Sequence, residues 1–136
     1  METTKKPIDI SLLLIRLAIG LMFIFVYGEF KMFGGPEMWE NLGGAMENFG
    51  ITFYPKIWGF MAALAEFGGG VLVLLGLFFR PACLILMFNM SIAASSHFFN
   101  NEGIMGAGHA VELTVIFLAL AISGPGKYSV DGRLKG

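Results

Sequence analysis

Four apolar stretches, each long enough to cross the hydrocarbon core of a bilayer, take up most of this 136-residue chain, at about 10–33, 54–79, 81–99 and 106–123. A helix rises about 1.5 Å per residue, so roughly 20 apolar residues match the thickness of about 30 Å to be spanned. No water is present there to satisfy the backbone, and a single segment pairs its own N–H and C=O groups only as a helix. The chain is therefore expected to be all-α, an integral membrane four-helix bundle forming one domain over residues 1–136. Its 56% hydrophobic and 14% charged residues agree with that class and not with a soluble domain of the same size.

The first stretch, SLLLIRLAIGLMFIFVYGEFKMF, follows Lys5 and Lys6 as the core of a signal peptide would. It is too long for one, is interrupted by Arg16 and has no Ala-x-Ala site, so it reads as a retained helix. A single cysteine, Cys83, leaves no internal disulfide or CxxC redox pair. The net charge of −1 and the lack of a polybasic run point away from nucleic acid and from a tight anionic-lipid site. Serine-nucleophile and phosphate-binding motifs are also lacking, which sets hydrolase and kinase chemistry aside.

Between the second and third stretches only Arg80 and Pro81 intervene, which predicts a tight hairpin with proline in the first turn of the next helix. The longest gap, 34–53, places Met38, Leu42, Met46 and Phe49 at helical spacing opposite Glu37, Glu40 and Glu47. That pattern predicts a short interfacial amphipathic helix between helices 1 and 2. The glycine-rich segment 100–108 and the tail GPGKYSVDGRLKG read as breaks on either side of the fourth helix.

Basic residues orient the bundle. Lys5, Lys6, Arg16, Arg80, Lys127, Arg133 and Lys135 fall on one side of a four-span arrangement, and only Lys31 and Lys56 oppose them. By the positive-inside rule both termini and the Arg80 turn are cytoplasmic, and the amphipathic loop faces outward. Glu29 and Lys31, Glu66, His97, and the pair His109 and Glu112 then fall in the outer half, on helices one to four respectively. Charges inside a bilayer are costly and tend to face the bundle interior and pair there, so these six form the candidate polar site. Arg16, near the cytoplasmic end, is assigned a structural role, snorkelling to the headgroups or meeting Asp9. Ala62, Ala65, Gly69 and Gly76 give the second helix a small-residue seam suited to close packing or to leaving space beside Glu66.

These residues also carry a resemblance. ALAEFGGGVLVLLGLFFRPA, with Glu66, its glycines, Gly76, Leu77 and Arg80, resembles the second helix and turn of the DoxX family of small bacterial four-helix membrane proteins. YGEFKMFGG resembles the end of that family's first helix at Gly28, Lys31, Phe33 and Gly34, with Tyr27 standing where a histidine is common. GPGKYSVD resembles its close after the fourth helix at Gly124, Pro125, Gly126, Ser129 and Asp131. The resemblance implies a multi-pass protein of the bacterial cytoplasmic (inner) membrane. It also implies an association with quinones, because such proteins include a subunit of a thiosulfate:quinone oxidoreductase, but it implies no defined catalytic residues.

Three functional readings follow. In the first, a quinone-linked redox subunit binds quinone oxygens through Lys31, His97 or His109 and relays protons through Glu66 or Glu112. With no flavin, haem or iron–sulfur motif in the chain, electrons would come from a partner subunit or a bound cofactor. In the second, Glu66, His97, His109 and Glu112, with Glu29 nearby, hold a metal ion. In the third, a non-catalytic scaffold or small transporter merely neutralises its charges in pairs. The bilayer is the certain neighbour in all three, and a homo-oligomer remains open.

Overall fold

A computed structural model describes residues 2–135, with side chains described for 6–134. Lys5 and Lys135, used in the charge count, lie outside the described side chains. No strand occurs among the described residues. Four helices are long and apolar enough to cross a membrane, so the fold class is the one the sequence predicts.

The first span is a composite. Helix α1 (Glu2–Met22) runs into a π-helical stretch, Phe23–Gly28, and then a last α-turn, Glu29–Met32. A π-turn carries an extra residue and so re-aims the face that follows it. Here it sets Gly28 against the backbone of Phe67, and Lys31 follows on the same face. Helix α2 (Pro36–Gly43) comes next, continued by a 3-10 helix, Gly44–Phe49. The remaining spans are α3 (Pro55–Leu75), α4 (Phe79–Phe99) and α5 (Gly103–Ser123), each of 21 residues. A short α6 (Val130–Lys135) closes the chain. Pro36 and Pro55 open their helices, where a missing N–H costs nothing.

The turn between α3 and α4 lies earlier than Arg80–Pro81. Gly76 takes the left-handed conformation, φ 69°, that ends a helix, and Leu77 N donates to Leu72 O at 3.0 Å. Arg80 and Pro81 fall in the first turn of α4. The helix breaker is thus a glycine inside an apolar run, not the Arg80–Pro81 pair that follows it.

Around the bundle the order is α1, α3, α4, α5. Glycines bring α1 and α3 together: a Cβ at Gly20 would meet Leu74, and one at Gly70 would meet Phe23. The ring closes between α1 and α5 through edge-on contact of Phe23 with Phe117, centroids 5.4 Å apart. Phe23, Val73, Phe79, Cys83, Leu86 and Phe117 form the centre of the buried core. Helix α2 does not merely lie on the interface. It docks on the start of α3, where Gly43 touches the Pro55 carbonyl and Gly59 the Trp39 carbonyl with no room for a side chain.

At the end of the bundle that carries the termini, Arg16 is buried, 2% exposed. It neither snorkels nor meets Asp9. Its guanidinium donates to Val73 O and Leu74 O at the end of α3, and to Tyr128 O in the tail. Asp9 accepts instead from Lys127 N at 3.1 Å. Asp131 accepts from Phe78 N and Phe79 N and so caps α4, while Arg80 donates to Ala121 O near the end of α5.

Candidate polar site

Glu66 lies 11 residues beyond the start of α3, about 16 Å along a helix that spans the bilayer, so its carboxylate sits near mid-membrane. Both of its oxygens are engaged. Lys31 Nζ donates to Oε2 at 2.8 Å, and Asn89 Nδ2 donates to Oε1 at 3.1 Å. The two charges differ in access: the Lys31 side chain is 22% exposed and that of Glu66 6%. An ammonium has three N–H donors, and only one goes to Glu66. Trp39 Nε1 donates to Lys31 O at 3.0 Å and ties α2 to the end of the first span beside this pair.

A cavity of about 490 Å³ opens above the pair. Lys31, Glu66 and Asn89 line its depth, Asn41, Glu47 and Asn48 of the α2 layer its cover, and Ser96, His97 and Asn100 its side. The lining mixes these polar groups with Leu42, Ala45, Ala62, Ile92 and Ala93, and Glu66 and Asn89 lie inside segments apolar enough to cross a membrane. Removing two charges from water is costly and an ion pair alone recovers little of that, so a packed apolar core would serve stability at least as well. The pair leaves Lys31 N–H donors facing the space beside it.

Of the six candidates, the structure brings Lys31, Glu66 and His97 to this one cavity. His97 sits at its margin, its Nδ1 2.9 Å from Glu102 Oε2. Glu29, His109 and Glu112 are exposed on the bundle surface and do not join them. His109 lies against Tyr27, ring centroids 5.4 Å apart. Among the described residues no three of His, Cys, Asp and Glu come close enough to hold a metal ion. The set Glu66, His97, His109 and Glu112 is split between the cavity and the outside of α5, which gives the metal reading no common centre.

Asn89, Ser96 and Asn100 are site residues that the attention to charge passes over. Their signal was available: Asn89, Ile92, Ala93, Ser96, His97 and Asn100 all line the cavity, and their spacing of three and four residues marks one helix face. An asparagine ten residues inside an apolar span is itself a polar group that must face a partner.

Fold and site together define a four-span membrane protein with a polar cavity buried at one end. The chain belongs to the DoxX family, which it matches over residues 11–99. It is 32% identical over 137 residues to inner membrane protein YqjF of Escherichia coli, with 96% of each chain covered. To inner membrane protein YphA of the same organism it is 30% identical over 144 residues, covering 91% of this chain and 90% of the relative. To the uncharacterized membrane protein Rv3486 of Mycobacterium tuberculosis it is 33% identical over 143 residues, covering 91% and 81%. No solved structure matches the chain.

Proposed function

We propose that this DoxX-family protein is the membrane subunit of a quinone-linked redox system, and that its polar cavity receives the quinone head. The observation that carries the reading is the Lys31 ammonium, partly accessible at the cavity floor with donors left over after its bond to Glu66. Quinone reduction takes up protons with electrons, so the head needs a donor to a carbonyl oxygen and a titratable group beside it. Lys31 supplies the donor and Glu66 the proton-relaying carboxylate. Asn89 holds that carboxylate in place, and His97 exchanges protons at the mouth. Electrons come from a partner subunit, because the chain carries no redox-centre motif of its own.

The same reading puts both termini in the cytoplasm and the cavity in the outer half of the inner membrane. Lys6, Arg80, Lys127 and Arg133 gather at the termini end, whereas only Lys31 and Lys56 among the described basic residues lie toward the α2 end. That is the asymmetry the positive-inside rule describes.

The test is to titrate the protein in lipid nanodiscs with decylubiquinone, following quenching of Trp39, which touches Lys31 through its indole N–H. Saturable binding is expected, weakened about tenfold in Glu66→Gln and Lys31→Gln, the scale of one lost charge-assisted hydrogen bond. Unchanged binding in both variants together with lower thermal stability would establish a structural ion pair instead. No binding by the unmodified protein rejects the quinone reading.

A further inference from the structure

We propose that the cavity's ligand is a membrane-dissolved amphiphile with a neutral hydrogen-bonding head, and that its apolar chain lies in a second recess beside it on the α3–α4 seam. This rests on the reading of the polar cavity as the head site.

The second recess has a volume of about 590 Å³ and is lined by Met61, Ala65, Gly68, Leu72 and Ile85 among other residues, none of them polar. It is built by the same two helices as the polar cavity and lies beside it: its α3 lining runs from Met61 to Leu72 and so passes Ala62 and Glu66 of the cavity on a neighbouring face. On α3, Ala65 of the recess adjoins Glu66 of the cavity, and on α4, Ile85 lies about one turn below Asn89. Small residues make the recess: a Cβ at Gly68 would meet nothing within 4 Å, so the face is open there. By contrast, Gly69 next to it is filled by Leu86. Annular lipid needs no recess, because it wets any apolar face. A recess that adjoins a polar pocket and extends past it along α3 and α4 suits one molecule with a polar and an apolar end.

The charges of the polar cavity select the head. Lys31 is offset by Glu66, and Glu47 at the cover adds a negative charge. An anionic phosphate head would meet no net positive field, whereas a carbonyl or hydroxyl head accepts from Lys31 without needing one. From Glu66 to Leu72 the seam offers six residues, or about 9 Å, of apolar length.

The test compares decylubiquinone with the same ubiquinone head lacking a tail, in nanodiscs, with concentrations expressed per lipid. Gly68→Leu fills the recess without touching the polar cavity, and Ala65→Leu does so from the neighbouring position if the first variant does not fold. Either variant is expected to bind decylubiquinone about tenfold more weakly while the tailless head keeps its affinity. Undiminished binding of decylubiquinone by a folded variant overturns the chain site. So does an equal loss for both compounds, which would place the disturbance in the head cavity. If the unmodified protein binds both compounds equally, the chain site falls and the head site stands; if it binds neither, the head site falls as well.

Discussion

Arg16 and Lys31 are two cations that the bundle treats in opposite ways. Arg16 spends its donors on main-chain carbonyls: Val73 O at 3.1 Å, Leu74 O at 2.8 Å and Tyr128 O at 2.8 Å. The carbonyls in the last turn of α3 carry the negative end of its dipole; Val73 O also accepts from Gly76 N at 3.2 Å, and a planar guanidinium fork completes and neutralises this end of the helix. Lys31 is met by a single carboxylate and faces space. The first arrangement is saturated and structural, the second is not. Arg16→Met should therefore lower unfolding stability by about 3 kcal/mol, because it removes the side-chain donor to Leu74 O and Tyr128 O and leaves Val73 O with Gly76 N alone. Arg16→Lys should recover less than half of that, since an ammonium cannot reach the same set of carbonyls. Denaturation in detergent followed by circular dichroism checks both. Stability equal to that of the unmodified protein in Arg16→Met would mean that water reaches these carbonyls and that the capping account is wrong.

At the scale of the element, α2 decides how closed the cavity is. Its backbone rests directly on α3 because Gly43 and Gly59 have no side chains, and Trp39 packs edge-on against Phe60 with centroids 4.9 Å apart. A methyl group at Gly59 would strike the Trp39 carbonyl. Overpacking of this kind costs about 1–3 kcal/mol, enough to lift a two-turn helix but not to unfold four long spans. Gly59→Ala should thus speed amide hydrogen exchange over 36–49 and leave the centres of α4 and α5 protected; uniform acceleration would show that α2 is integral to the bundle and not a cover. The amphipathic spacing of Met38, Leu42, Met46 and Phe49 made this helix legible in the sequence. Its docking was not legible, since nothing marks Gly43 or Gly59 as contact points until the chain is folded. The π-helical stretch was equally hidden, because FIFVYG is apolar or small throughout and its register shift changes no pattern. The α3–α4 turn was misplaced for a related reason: Gly76 sits in LLGLFF, where hydropathy gives no break, and the cap that makes the turn possible, Asp131, comes from more than fifty residues away.

On the scale of the whole molecule, the residues that resemble the DoxX pattern sort into two ends with different work. Gly76, Arg80, Ser129 and Asp131 gather with Arg16 into contacts that hold all four spans and the tail together. Gly28, Lys31 and Glu66 gather at the opposite cavity. Sequence alone placed the ionisable residues in one layer by depth, but depth leaves rotation about each helix axis open. That is why His109 and Glu112 stand outside while Asn89, which carries no charge, stands inside. The proposed orientation of the two ends across the membrane rests on the positive-inside rule, and it can be read directly. In a Cys83→Ala background, which removes the buried native thiol, single cysteines at Glu47 and Lys127 report one end each. A membrane-impermeant maleimide applied to intact cells with a permeable outer membrane should label Glu47→Cys, and should label Lys127→Cys only after the inner membrane is breached. The reverse pattern would open the cavity to the cytoplasm. Proton uptake at Glu66 would then draw on the cytoplasmic side, and a redox partner would have to be sought there.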